Sequence, residues 1–354
     1  MRFLREYDPE SLITGISDGY DVPDNNIIRR IVASYNLKMD ERDKPTDMWE
    51  WIFGAKQKSI HEILIGQDAG AIADVIRRPS NYDYMFGFAP IYKDALEGHS
   101  KGHDPLNGGG RLIKDIMVSF AETIGALKAE GPETGRRLYK DISNDDLVDA
   151  IEARLGIELP SPSPFPGEAG LLTRRGIIEF RAVQAIYQAW RLRSLTKAID
   201  NPKILEIGGG LGKTAYYARF FGLKDYTIID LPFTAVSQAN YLMRVLGEDA
   251  VVLHGEAAGR PDQIKLLRPG AFIDSDQHYD IVLNADSLTE MGRPVADRYF
   301  GKIVQTTDLF LSINHEYNSY TVFEVACPFG NNIRSQHRHL YALRRGYLEE
   351  LFTF

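Results

Sequence analysis

The run Lys203-Ile-Leu-Glu-Ile-Gly-Gly-Gly-Leu-Gly-Lys-Thr214 constrains this chain more than any other stretch. An apolar segment of strand character, 204–207, empties into a turn with glycine at 208, 209, 210 and 212, and helix-compatible residues follow from Lys213. Glycine is needed where the backbone must take positive φ, or where a side chain would hold a ligand away. A second apolar strand, 226–229, ends in Asp230, 24 residues after Glu206. That distance fits one strand-helix-strand unit, in which ligands sit beyond the carboxyl ends of parallel strands.

The loop departs from two common phosphate cradles. Counting G-x-G-x-x-G from Gly208 puts Lys213 in the sixth place, and starts at Gly209 and Gly210 also fail. Gly212-Lys213-Thr214 supplies the end of a P-loop, but its first glycine would fall on Ile207. What fits is acid-x-Gly-x-Gly-x-Gly, namely Glu206, Gly208, Gly210 and Gly212. This resembles the first motif of class I S-adenosylmethionine methyltransferases. An acid leading into the loop suits a sulfonium and repels a polyphosphate. Asp230 at the next strand tip is suited to accept both hydroxyls of a ribose. Glu206, Gly208, Gly209, Gly210, Gly212, Asp230 and Leu231 are therefore the expected cofactor contacts, with Asn284 near the methyl-bearing end.

The chain has 354 residues, enough for two domains, and 41 basic against 49 acidic side chains give a formal charge of −8. That balance argues against a broad grip on nucleic acid. The start, Met1-Arg-Phe-Leu-Arg-Glu-Tyr-Asp, is charged from its second residue, and no apolar stretch suits a signal segment or a membrane span. Cys327 is the sole cysteine, so neither an internal disulfide nor a multi-cysteine metal site forms, and a cytoplasmic location is expected.

Residues 1–165 read as a mainly helical N-terminal domain, an acceptor lid or a homodimer surface, in which Asn107-Gly-Gly-Gly110 is a flexible connector. The proline-rich segment 159–167 marks a boundary. The ligand-binding domain, 166–354, opens with a lead-in helix over 174–199 and continues as an α/β fold, a Rossmann-like sheet flanked by helices. Its strands are expected at 204–207, 226–229, 251–253, 279–283 and 309–313, with a helix and a last strand after Leu340.

Two further strand tips carry candidate chemistry, Asn284-Ala-Asp-Ser-Leu-Thr-Glu-Met291 and Asn314-His-Glu316. His315 is the candidate general base because imidazole titrates near neutrality. Asp286, Glu290 and Glu316 are candidates to orient it or to bind acceptor hydroxyls. Their spacing carries no H-x-x-x-H or paired-aspartate signature, so no metal is expected. His254 is a rival base or an adenine neighbour. Arg334, His337, Arg338, His339, Arg344 and Arg345 form either an anion clamp or a basic helix face.

Glu206-Ile-Gly-Gly-Gly-Leu-Gly212, Asp286-Ser-Leu-Thr-Glu-Met291, Ser312-Ile-Asn-His-Glu316 and Arg345-Gly-Tyr-Leu-Glu-Glu350 together resemble the bacterial sugar O-methyltransferases, over about 166–352. The resemblance implies a class I methyltransferase fold, S-adenosyl-L-methionine as methyl donor, and a small-molecule acceptor that is a sugar or glycoside. Alternatives are a non-sugar acceptor, such as an aromatic polyketide or peptide product, and a P-loop nucleotide hydrolase using Lys213 and Thr214.

Overall fold

A computed structural model describes residues 5–82, 105–131 and 138–354. The opening residues 1–4, part of the charged start, lie outside that set. The chain divides into two compact units, one of Met1–Asp21, Gly87–Ala189 and Ala342–Arg345, the other of Val22–Phe86, Trp190–Tyr341 and Gly346–Phe354.

The first unit holds an antiparallel sheet in the order β1 (Thr14–Asp18), β2 (Pro166–Thr173), β3 (Gly176–Ile178). Helices Pro105–Thr123 and Asn144–Leu155 bury Ile113, Met117, Phe120, Leu147 and Ile151. Three expectations change here. Gly108 to Gly110 lie inside the first helix, and a Cβ on Gly110 would stand 2.5 Å from Thr14 Cγ2, so close packing explains that glycine. The proline-rich segment is no boundary, because Ser161 bridges to Gly176 and β2 starts at Pro166. The lead-in helix over 174–199 begins only at Phe180 and runs to Leu195. Before it stands a hairpin: Gly176 takes φ +111 with the Ser161 carbonyl 2.3 Å from where a Cβ would be. No other residue fits there.

The second unit is built on eight strands: β4 (Lys203–Ile207), β5 (Asp225–Ile229), β6 (Val251–Leu253), β7 (Ile264–Leu267), β8 (Ile281–Ala285), β9 (Leu309–His315), β10 (Ser335–Leu340) and β11 (Tyr347–Thr353). Their order is β10-β11-β9-β8-β4-β5-β7-β6. From β6 to β9 every pairing is parallel, whereas β11 is antiparallel to both of its neighbours. The Rossmann-like sheet is therefore present, with a hairpin inserting its second strand beside β9. β4 starts the sheet in the middle, and the chain builds outward first through β5 and later through β8. The resulting reversal point lies between β4 and β8, where such sheets open a ligand crevice. On one face Leu205, Val282, Phe300, Phe310 and Phe352 form a core, with the Phe310 and Phe352 rings stacked at 5.7 Å.

The division into 1–165 and 166–354 is thus corrected: residues 22–86 belong with the large sheet. Buried polar chemistry explains it. Asp24, before helix Asn25–Tyr35, takes Arg244 at 2.7 Å and Arg77 at 2.8 Å. Arg268, buried, donates to the carbonyls of Ser34, Tyr35, Leu37 and Lys38 and so caps the carboxyl end of that helix. These partners are far apart in sequence, which is why a composition boundary missed them.

Besides the three strands of the first unit, two strands of the large sheet escaped the sequence reading. β7 is a four-residue run containing Lys265, whose ammonium reaches Asp225 at 2.7 Å. β10 replaces the expected basic helix face: Ser-Gln-His-Arg-His-Leu is a polar sheet edge paired on one side only. Among the described residues no helix is long and apolar enough to cross a membrane.

Candidate active site

The carboxyl ends of β4, β5, β8 and β9 place the expected motifs side by side. Gly208, Gly210 and Gly212 all take positive φ, at +77, +55 and +81. Their neighbours differ. A Cβ on Gly208 would stand 2.2 Å from Ser287 Oγ, one on Gly209 2.7 Å from Ile228 Cγ2, and one on Gly212 2.9 Å from Leu242 Cδ1. Those three glycines are required by packing within the protein. Around Gly210 nothing lies within 4 Å. Here the loop turns bare backbone toward open space, as an approaching ligand requires.

Glu206 lies beneath this loop and is 2% exposed. Its Oε2 accepts the Tyr226 hydroxyl at 3.0 Å, and Thr214 donates to it from the first turn of helix Lys213–Phe220. Burial pushes its pKa up to about 7, against the pull of those two bonds, and Asp230 adds like-charge repulsion. Glu206 therefore supports the loop from below. Sequence reasoning missed Tyr226 as its partner, although the spacing of β4 and β5 in parallel register, with Glu206 opposite Ile228, was available as a signal.

Asp230 is half-buried at the tip of β5. Leu231 N–H donates to Oδ1 at 2.8 Å and the Gln238 amide to Oδ2 at 2.6 Å, with further bonds from Thr234 and the Gly209 N–H. Burial again raises its pKa to about 7. A carboxylate offers about four acceptor positions, so four internal donors fill it. A ribose displaces at least one of them. Gln238 is the partner that can turn, since its own Oε1, though buried, has no hydrogen bond.

Asn284 is corrected. It is 0% exposed, its Nδ2 donates to the Ile207 carbonyl at 2.9 Å, and its Oδ1 accepts from Leu288 N–H and from Asn314 Nδ2 at 2.8 Å. The amide ties the tips of β4, β8 and β9 together and has nothing left for a ligand. Backbone spacing puts it at a strand end, but its inward side is set by pairing of β8 between β4 and β9.

The acceptor-side candidates are brought to one end of the sheet. Asp286 follows β8 with φ +58, a strained position for a side chain other than glycine. Glu290 accepts the Trp49 indole N–H at 3.1 Å, and Gly292 N–H donates to Thr46, so segment 46–49 lies across the turn after β8. Glu316 is exposed and paired with Arg338 at 2.7 Å. Hence neither Glu290 nor Glu316 orients His315 as expected, and no carboxylate bonds that ring among the described residues. His315 Nδ1 accepts the Tyr317 amide at 3.3 Å, and its ring meets Tyr347 edge-on at 5.2 Å. In the neutral ring that bond leaves the proton on Nε2.

His254 lines a small cleft together with Ser34, Tyr35, Pro232, Val236 and Arg268. Burial, then the nearby Arg268 charge, lower its pKa. This cleft adjoins the crevice through Leu267, whose carbonyl accepts the Asp230 amide at 3.2 Å. Lys213 is buried with its ammonium 5.3 Å from the centre of the Tyr241 ring. Arg334 immediately precedes the polar edge strand and Arg338 lies within it, whereas Arg344 and Arg345 fall in the other unit.

No protein-family model and no curated protein matches the chain. Among solved structures it is similar, at 15% identity over 48% of this chain and 83% of that one with a TM-score of 0.34, to a candidate RNA methyltransferase from Pyrococcus horikoshii. A candidate O-methyltransferase from Nostoc punctiforme PCC 73102 aligns at 15% identity over 49% of this chain, which spans 57% of that protein, with a TM-score of 0.37. Magnesium protoporphyrin IX methyltransferase from Synechocystis PCC 6803 with bound SAH aligns at 10% identity over 51% of this chain and 90% of that one, with a TM-score of 0.34. The assignment of the fold rests on the strand order itself.

Proposed function

We propose that this chain is an S-adenosylmethionine-dependent O-methyltransferase whose acceptor is a hydroxyl of a sugar or glycosylated small molecule. Gly210 carries the reading: it is the one loop glycine with positive φ and an empty neighbourhood, at the reversal point of a parallel sheet and beside a carboxylate at the next strand tip. The acidic spacing that leads into it favours a sulfonium over a polyphosphate.

In this reading Asp230 accepts the ribose hydroxyls in exchange for Gln238 or Thr234, and Leu231 covers the adenosine side. Methyl transfer is an in-line displacement. The acceptor oxygen bonds to the methyl carbon as the carbon–sulfur bond breaks, the electron pair stays on sulfur, and the hydroxyl proton goes to a base. Alignment supplies most of the rate. His315 is the base, taking the proton at Nδ1 once its long contact with the Tyr317 amide opens. Asp286 and Glu290 hold acceptor hydroxyls, with Glu290 fixed by Trp49.

Calorimetry with S-adenosylhomocysteine tests the class, because a methyltransferase binds it and a nucleotide hydrolase binds ATP instead. A panel of glycosides, phenols and peptide alcohols with radiolabelled donor then tests the acceptor. Transfer to phenols alone overturns the sugar assignment and leaves the class standing.

A further inference from the structure

Glu206 and Asp230 are two acids at the carboxyl ends of β4 and β5, and among the described residues no cation pairs with either. Every partner is a neutral donor: Tyr226 and Thr214 for Glu206, and Leu231, Gly209, Gln238 and Thr234 for Asp230. Among the described residues the buried Tyr299 phenol also faces Asp230, whose charge helps to raise its pKa. Lys213 is adjacent in sequence, but its ammonium sits over the Tyr241 ring. Two like charges, Glu206 buried and Asp230 half-buried, are costly without a counter-ion, and the usual resolution is that one of the pair keeps its proton.

The two acids also grip the same element. Asp230 takes the Gly209 N–H, and Glu206 Oε2 lies 3.2 Å from where a Cβ on Gly209 would be. A change of charge on either side is therefore felt at the loop that cradles the ligand. A bound sulfonium brings the missing positive charge, and ribose hydroxyls are better partners for a carboxylate than for a carboxylic acid.

We infer that the ligand-free protein holds one proton jointly on Glu206 and Asp230 and releases it to solvent when the cationic nucleoside binds. This deepens the proposed cofactor site and rests on that reading. The balance is simple: one O–H bond of a carboxylic acid breaks, the proton passes to buffer, and the carboxylate is left to face the ligand. Tyr226 keeps its proton throughout, because burial and Glu206 hold its pKa well above the usual phenol value.

The test uses the whole chain with S-adenosylmethionine, and S-adenosylhomocysteine as the comparison that lacks the sulfonium charge. Titration calorimetry at neutral pH in phosphate and in Tris should give apparent enthalpies that differ by close to one buffer ionisation. The dissociation constant should tighten by up to about tenfold per pH unit on the acid side and level off on the alkaline side, as one-proton linkage requires. Difference infrared spectra should lose a protonated-carboxyl band on binding. Glu206→Gln should flatten the pH dependence; if that variant does not fold, the two-buffer comparison on the natural chain decides alone. The inference is overturned if S-adenosylmethionine binds with the same enthalpy in both buffers and a pH-independent constant. Absence of binding by either nucleoside overturns the cofactor reading and this inference with it. Equal proton release for both nucleosides supports release driven by the ribose, and a larger release for S-adenosylmethionine supports release driven by the sulfonium; both sustain the inference.

Discussion

Two buried acid sites in the same unit have been built in opposite ways. Asp24 meets two guanidiniums, Arg244 and Arg77, and their hydrogen bonds hold its pKa below the usual carboxylate value despite burial. Glu206 and Asp230 meet only neutral donors, and burial pushes both up to about 7. The first arrangement fastens a helix to the sheet. The second keeps charge in reserve at a place where a ligand can complete it. Neutralised acids stabilise a fold, and unneutralised acids near neutrality are the mark of a site with a task.

The largest effect expected from that comparison is on stability. Arg244→Ala leaves Asp24 buried with its more exposed partner alone, so urea unfolding should lose about 3–5 kcal/mol, the cost of breaking a buried pair. Glu206→Gln should lose much less or even gain, because it removes an unbalanced charge. Equal losses for the two would erase the distinction.

Next comes the loop. Gly208→Ala must put a methyl at positive φ against Ser287, which needs a shift of that side chain and of the Asn284 knot it bonds to. A cost of about 1–3 kcal/mol in folding is expected from the backbone conformation, with a parallel loss of S-adenosylhomocysteine affinity. Gly210→Ala shares the positive φ but meets open space, so its affinity loss should exceed what its stability loss predicts. A ligand-affinity loss at 208 larger than at 210 would mean that the loop presents a different face.

Asp230→Ala should weaken nucleoside binding by about 1–3 kcal/mol, as for a lost charged hydrogen-bond partner. The lower end is expected, since the ribose must first displace Gln238 or Thr234. Calorimetry reads it directly, and unaltered affinity would return Asp230 to a purely structural role at the start of helix Pro232–Leu246.

The glycine loop and Asp230 were legible because they are local: strand, turn and helix are written within one stretch, and the next strand tip lies a fixed distance on. Asn284 was not, because whether an amide at a strand end faces the crevice or the sheet depends on which strands flank it, and β8 lies between β4 and β9. Gly176 looked like a residue inside a helix because the Ser161 backbone that forbids a side chain there arrives from a segment read as a linker. The helix glycines 108–110 and the polar strand β10 misled for a related reason. Their conformations are fixed by neighbours, Thr14 in one case and β11 in the other, that intrinsic preference does not encode. His315 lies at the end of β9, while two of the three carboxylates expected to orient it, Glu290 and Glu316, are taken by Trp49 and Arg338.

The opposite shifts give the two acid sites opposite pH signatures. Asp24 has a folded pKa below its unfolded value, so the stability it adds is present above about pH 4 and is lost as pH falls through the lower, folded value. Glu206 and Asp230 have folded values above their unfolded ones, so the folded state binds more protons from about pH 4 up to about 7, and stability falls as pH rises through that window. Thermal unfolding without ligand should decline from weakly acid to weakly alkaline pH, and Glu206→Gln should reduce that slope. Tyr226→Phe is the finest probe. It removes one neutral hydrogen bond, worth about 0.5–1.5 kcal/mol, and it removes a donor that favours the charged form of Glu206. The decline should therefore move to higher pH while its total depth grows. A Tyr226→Phe curve that merely shifts downward in parallel would show that the phenol supports packing alone and that the charge of Glu206 is governed from elsewhere.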